Sequence, residues 1–291
     1  NLMATKELLT HLESASVSVD LFRDQLRSAN GSGFYNGFTK QEALRVFSTH
    51  PQADDPRTRI SREYGRTSIL DYRKAYPDHC TSIATNFRMS AATSDDPRLG
   101  DQLIRMAEIL ENPATPWEEL YEASLATVKS PDRVYLGWEE YDDEWKTKST
   151  PIFWVDELIT DETERTKKYS DKARNVYKEE YTEDIPQIYL RVSKPLIASR
   201  MFKEMRLSAD TQPNTAEWGD NNGFVVTVME PTREQNFKEN LLPYARQYIA
   251  HENVSKYSDE ELNDAHRRLL VLHEIGHPLT SNQFGNMQEL R

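Results

Sequence analysis

EELNDAHRRLLVLHEIGH, residues 260–277, joins a helical pattern to a short motif at its end. Leu262, Leu269 and Leu270 recur at the spacing of one helix face, which predicts an α-helix. The last five residues, HEIGH, have the form H-E-x-x-H. We expect the motif to lie on the last turn of this helix, because Pro278 disfavours helical geometry at the residue before it.

The chemistry of the motif points to a metal. Residues four apart on a helix lie on one face, about 6 Å apart along the axis. His273 and His277 have this spacing, so each can give one imidazole nitrogen to a zinc ion at about 2.0–2.1 Å. Glu274 lies on a neighbouring part of the helix surface, where it can take a proton from a zinc-bound water whose pKa is lowered toward about 7. The motif therefore predicts Zn²⁺ as cofactor, His273 and His277 as ligands and Glu274 as catalytic base.

A third ligand is harder to find in the sequence. A catalytic zinc site has three protein ligands and one open position. The extension H-x-x-G-x-x-H, which adds a third histidine in some zinc sites, does not follow His277. Glu289 is the sole carboxylate after His277 and is therefore the candidate third ligand. His266 precedes His273 by seven residues, about 10 Å along the axis, and we place it outside the metal's reach.

Composition excludes several classes of function. The formal net charge of -12 argues against a nucleic-acid partner, which needs a basic face. No apolar run approaches the ~20 residues that span a membrane. The single cysteine, Cys80, excludes an internal disulfide and favours a reducing, cytoplasmic location. Because the chain begins at Asn1 without an initiator methionine, we expect it to be a piece of a longer protein.

Periodicity predicts an α+β fold that is predominantly α-helical. Thr39 and Glu42 form a capping box, as do Ser258 and Glu261. Strands rich in β-branched residues are expected at 188–192 and 224–229, and a strand edge near the metal would allow an extended peptide to add by main-chain hydrogen bonds. Helices are expected over 4–28, 58–76, 78–91, 97–111, 116–128, 161–184 and 232–250.

Aromatic side chains are dense in residues 131–155. We favour an amphipathic helix here, with an aromatic core face and an acidic solvent face. The alternative is a cleft wall that holds a peptide through aromatic contacts and its amino terminus through carboxylates.

The sequence divides into three predicted segments. These are a mainly helical part at 1–131, an aromatic and acidic segment with a charged helix at 132–219, and a strand-helix-helix unit with the metal motif at 220–291.

Four stretches together resemble the dipeptidyl peptidase III family of zinc peptidases, especially its divergent branch. They lie in the family's order and span nearly the whole chain. The stretches are GFYNGFTKQE (33–42), LGWEEYDDEWKTK (136–148), FKENLLPYA (237–245) and LHEIGH (272–277).

The resemblance implies a two-lobed peptidase with zinc in a cleft, one lobe helical and the other carrying a small β-rich core. It implies that His273 and His277 are ligands and that Glu274 is base and proton shuttle. The family's third ligand is a Glu in a later E-E-x-x-A-D-like box, which this sequence lacks, so we expect a C-terminal truncation or an incomplete site. The classical branch has one more residue between the histidines, which leaves the release of dipeptides open.

The function predicted from the sequence is hydrolysis of oligopeptides by a zinc-dependent peptidase with a peptide substrate. One alternative is a binding or scaffold protein that keeps the peptidase fold without a full zinc site. Another is a metal-free helical interaction domain in which the motif is accidental.

Overall fold

A computed structural model shows the α+β fold, rich in helix, that the sequence predicts. It describes residues 5–27, 33–63, 65–142, 145–164, 187–212, 223–248 and 255–281. The helices are α1 Lys6–Leu26, α2 Lys40–Thr49, α3 Tyr72–Ala75, α4 Pro77–Ala92, α5 Pro97–Glu111, α6 Glu119–Leu125, α7 Arg200–Met205, α8 Glu230–Asn236, α9 Leu242–Tyr248 and α10 Asp259–Ser281. The strands are β1 Tyr35–Asn36, β2 Thr58–Glu63, β3 Arg66–Asp71, β4 Asp132–Asp142, β5 Thr147–Asp161, β6 Ile188–Ala198, β7 Ala209–Gln212 and β8 Phe224–Met229.

The chain folds into two compact units. The first comprises residues 1–127, 132–155 and 197–202, and the second comprises 128–131, 156–196 and 203–291. The predicted segments 1–131, 132–219 and 220–291 group the chain differently, and their standing as separate domains stays a prediction.

The first unit is built on helices whose ends are marked in the sequence. The Thr5 hydroxyl accepts a hydrogen bond from the Leu8 N–H at 3.1 Å and begins α1. Pro77 and Pro97 begin α4 and α5, where a missing N–H costs nothing. The predicted helices at 4–28, 78–91 and 97–111 are confirmed, and so is the capping box that begins α2.

The predicted helix over 58–76 is wrong for most of its length. Strands β2 and β3 form an antiparallel hairpin there, and only α3 at its end is helical. Gly65 turns the hairpin with a φ of 78°, a conformation that favours glycine. Strand β1 pairs with β2 in parallel to complete a three-stranded sheet.

The predicted helix over the aromatic stretch 131–155 is also wrong, because the stretch forms β4 and most of β5. Residues Ser149–Asp156 of β5 are buried without interruption. A strand covered on both faces shows no alternation of polar and apolar residues, so periodicity cannot distinguish it from a buried helix. Most of the predicted charged helix over 161–184 lies outside the described residues.

A five-stranded sheet has the strand order β4-β5-β6-β8-β7. In the second unit β6 and β8 are parallel, with Leu190 opposite Val226. Strand β7 pairs antiparallel with the other side of β8 and ends the strand order. The strands predicted at 188–192 and 224–229 are confirmed, although β6 continues to Ala198.

A buried ion pair anchors β6 in the second unit. The Arg191 Nε donates to the Asp156 Oδ1 at 2.5 Å, and the two side chains are 1% and 0% exposed. The remaining guanidinium N–H groups donate to main-chain carbonyls, namely those of Val128 (3.1 Å), Ser130 (2.6 Å), Pro131 (3.0 Å) and Asp156 (3.4 Å). Because guanidinium has five N–H donors, this one side chain is fully engaged.

Helix α10 carries the H-E-x-x-H motif and begins as predicted. The Ser258 N–H donates to the Glu261 carboxylate at 2.8 Å, and the Glu261 N–H donates to the Ser258 hydroxyl at 3.2 Å. The helix does not end at the motif, because it continues through Pro278 to Ser281. The expectation that Pro278 would end it is therefore wrong.

Candidate metal centre

The side chains of the motif lie on two faces of α10. Val271 and Ile275 pack against the apolar side chains of β6 and β8, and these residues form the core beneath the helix. Glu274 lies on the same buried stripe and is 8% exposed. His273 and His277 lie on the adjoining stripe and are exposed. The two imidazoles are thus exposed, whereas the carboxylate is buried.

The two histidines are close enough to hold one ion. Their Nε2 atoms are 3.3 Å apart, and their rings are nearly perpendicular at 89°. Two nitrogens at tetrahedral positions, each about 2.0–2.1 Å from a zinc ion, stand roughly 3.3 Å apart. The pair therefore meets the spacing that zinc requires, a spacing that also permits a hydrogen bond between the rings.

Glu274 completes the group. One ligand atom from each of His273, Glu274 and His277 lies within 4.8 Å of the other two. Imidazole nitrogen and carboxylate oxygen are both ordinary zinc ligands, so the chemistry of the set is suited to that metal. Within the described ranges no other group of three or more such side chains converges in this way. Glu289, the predicted third ligand, lies outside the described residues.

Thr211 of β7 holds the Glu274 carboxylate. Its hydroxyl donates to Glu274 Oε2 at 2.7 Å and lies 3.0 Å from the main-chain carbonyl oxygen of the same residue. In the part of the chain that the structure describes, Glu274 Oε1 takes part in no hydrogen bond. One carboxylate oxygen is thus fixed to the sheet, and the other is available to accept a proton.

His266 is not part of the metal group. Its ring stacks on Phe237 with centroids 5.5 Å apart, and its Nδ1 lies 3.3 Å from a guanidinium nitrogen of Arg233. Burial, and then the positive charge of Arg233, lower the pKa of His266 below its ordinary value. The ring therefore acts as a neutral packing group on the helix.

Polar contacts of two arginines, Arg233 and Arg267, fix the helix against its neighbours. Arg233 of α8 donates to Glu230 at 2.6 Å and to the Asn263 side chain at 2.9 Å. Arg267 donates to Glu162, just beyond β5, at 2.7 Å and lies 3.3 Å from Glu230. The contacts of Arg267 and Asn263 hold α10 about two to three turns before the motif.

Sequence reasoning missed Thr211, Arg233 and Arg267. Thr211 lies in a strand of four residues that shows no pattern of its own. A signal did exist in the helix, because Pro278 has no N–H to donate to the carbonyl four residues earlier, which is that of Glu274. Such a carbonyl needs a donor from elsewhere in the chain.

The buried aromatic side chains of the stretch 131–155 pack within the first unit, and the alternative of a cleft wall stays a prediction. Tyr135 and Trp154 stack on each other with centroids 4.0 Å apart, and both are buried. Phe153 is also buried and stacks on Phe87 of α4. These side chains serve the packing of the first unit.

Comparison with known proteins agrees with the resemblance seen in the sequence. The structure is similar to DPP III from Caldithrix abyssi, with a TM-score of 0.75, 18% identity and coverage of 96% of this chain and 64% of that one. It is also similar to dipeptidyl-peptidase III from Corallococcus sp. strain EGB, with a TM-score of 0.76, 17% identity and coverage of 95% and 62%. The chain thus spans less than two thirds of the length of these two proteins.

No family model matches the chain. No curated protein matches its sequence. Among the described residues, no helix is both long and apolar enough to cross a membrane. Because the two similar structures cover nearly all of this chain, the conclusion concerns its architecture: the protein has a dipeptidyl peptidase III-like α+β fold.

Proposed function

We propose that this protein is a zinc metallopeptidase that hydrolyses oligopeptides. The observation that carries the proposal is the pair of histidine Nε2 atoms 3.3 Å apart, with the Glu274 carboxylate beside them on the same helix. The likeness of the fold to dipeptidyl peptidase III structures supports a peptidase.

His273 and His277 would hold the ion through Nε2. Zinc, when bound, supplies a Lewis acid that lowers the pKa of a water toward about 7 and polarises a carbonyl oxygen. Glu274 Oε1 accepts a proton from the attacking water and returns it to the departing amine. The burial of Glu274 limits competition from bulk solvent for that proton.

The edge strand β7 suits an extended peptide. Within the described sheet it ends the strand order, and its Thr211 contacts the motif helix. A peptide that adds to such an edge forms main-chain hydrogen bonds that do not depend on its side chains. We therefore assign peptides in extended conformation as the substrate class.

A second candidate is a peptide-binding protein with a metal but without hydrolysis. One observation favours it: in the described ranges, the converging ligand atoms come from His273, Glu274 and His277. If Glu274 itself completes the coordination of zinc, no carboxylate of the motif remains to act as base.

Glu274→Gln separates the two candidates. Loss of a general base costs about 10²- to 10⁴-fold in rate, so the peptidase hypothesis predicts that cleavage of a short peptide falls by that factor while the zinc content stays the same. Glu260→Gln, at an exposed position of the same helix, is the matched control and should keep full activity. Zinc and peptide binding without any cleavage by the unaltered chain would support the second candidate, and unchanged cleavage by Glu274→Gln would refute the mechanism.

A further inference from the structure

We infer that Thr211 is a positioning residue that holds Glu274 in the orientation required of a base. The inference rests on the proposed peptidase function and deepens it. Its main observation is the hydrogen bond of 2.7 Å from the Thr211 hydroxyl to Glu274 Oε2, which joins residues 63 positions apart in sequence.

The position of Glu274 makes a donor necessary. The residue belongs to the stripe of α10 that packs on the sheet, where its neighbours Val271 and Ile275 meet apolar side chains. A carboxylate that loses water without gaining a donor is strongly destabilised. Thr211 is itself only 7% exposed, so its hydroxyl replaces water where water has little access.

The main-chain carbonyl of Glu274 also needs a hydrogen-bond donor. Pro278 lies within the helix and has no N–H for the carbonyl of Glu274. The Thr211 hydroxyl lies 3.0 Å from that carbonyl oxygen. Since the hydroxyl has one hydrogen, the nearer and charged Oε2 receives the stronger bond, and the carbonyl is a secondary acceptor.

Strand β7 holds the Thr211 hydroxyl in a fixed position. Thr211 pairs with Val226 in the antiparallel ladder of β7 and β8, and Val226 also belongs to the core on which α10 packs. The donor and the helix are thus attached to the same strand. Because Oε2 is bound in this way, Oε1 is left to face the reacting water, and a swing of the carboxylate by about 1 Å could cost up to about 10²-fold in rate.

The test compares Thr211→Val, which keeps the shape without the hydroxyl, with Thr211→Ser, which keeps the hydroxyl. In Thr211→Val we expect kcat to fall by about 10- to 100-fold, with KM and the zinc content unchanged. Thr211→Ser should restore most of the lost rate. Zinc affinity, measured by competition with a chelator, should be the same in all three proteins, since Thr211 touches neither histidine among the contacts of the described residues.

Pro278→Ala separates the two bonds of Thr211. Alanine supplies the N–H that the carbonyl of Glu274 lacks, but it supplies nothing to the carboxylate. If Thr211 acts on the carboxylate, the double variant Thr211→Val with Pro278→Ala keeps the low kcat. Recovery of kcat in the double variant would show that Thr211 serves only the helix backbone and would overturn the inference.

A crystal structure of zinc-free Thr211→Val gives a readout independent of activity. We expect the Glu274 carboxylate to leave its position at β7 while His273 and His277 keep theirs. If the carboxylate does not move, or if kcat is unchanged in an active protein, the inference about Thr211 is wrong and the proposed function still stands. An unaltered chain that binds zinc but cleaves no peptide refutes the proposed function and, with it, a role for Thr211 in catalysis.

Discussion

Asp156→Asn removes one charge from the Arg191–Asp156 pair, the most deeply buried ion pair among the described residues of the second unit, and keeps the shape of the side chain. Arg191 and Asp156 are 1% and 0% exposed, so water cannot replace the lost charge. The guanidinium keeps its bonds to main-chain carbonyls, such as that of Ser130 at 2.6 Å, but it loses the charged carboxylate to which its Nε donates.

The expected cost follows from that burial. Breaking a buried, hydrogen-bonded charge pair by altering one partner destabilises a protein by about 3–5 kcal/mol. Because asparagine still offers an oxygen to the Arg191 Nε, we expect a loss near the lower end, about 3 kcal/mol. That is a large part of the roughly 5–15 kcal/mol that stabilises an ordinary domain.

Urea unfolding followed by circular dichroism and tryptophan fluorescence measures the loss, and the two probes test whether the two units unfold together. Asp24→Asn is the matched control, since the Asp24–Arg200 pair has the same ionic chemistry at 2.9 Å but is about half exposed on both sides. The control should cost less than about 1 kcal/mol. A cost for Asp156→Asn as small as that of the control would show that burial does not increase the contribution of this pair to stability.

Two further predictions concern titratable groups of the first unit. The hydrogen bond from Arg62, with that from the Thr39 N–H, lowers the pKa of Glu42 from 4.5 to about 2. The stability that this gives is complete above pH 4.5 and is lost as the pH falls toward about 2, so Glu42→Gln should remove that part of the pH dependence of unfolding. Burial raises the pKa of the Cys80 thiol to about 12. We therefore expect iodoacetamide near neutral pH to modify Cys80 only when the protein unfolds, and rapid modification of the folded protein would contradict this.

The sequence predicts the motif helix and its capping well, because both depend on residues close together in the chain. Leu262, Leu269 and Leu270 keep helical spacing, and Ser258 with Glu261 is a local signature. The parallel strands 188–192 and 224–229 are also predictable, since β-branched residues mark them. Once the helix is predicted, the spacing of four residues places His273 and His277 on one face of it.

The errors come from residues whose conformation depends on distant parts of the chain. Strand β5 is buried on both faces, so its aromatic side chains show no periodicity that distinguishes strand from helix. The 58–76 segment has helical spacing, but Gly65 within it forms the turn of a β-hairpin. Thr211 contacts Glu274, which lies 63 positions away in the sequence, and no local sequence pattern predicts such a contact.

Bound-metal stoichiometry tests the proposal that His273 and His277 bind one zinc ion. We would measure zinc in the purified protein and in His273→Ala, with His266→Ala as a control for a histidine of the same helix that lies outside the metal group. We expect about one zinc per chain in the unaltered protein and in the control, and loss of the zinc in His273→Ala. Absence of zinc from the unaltered protein, or retention of zinc by His273→Ala, would contradict it.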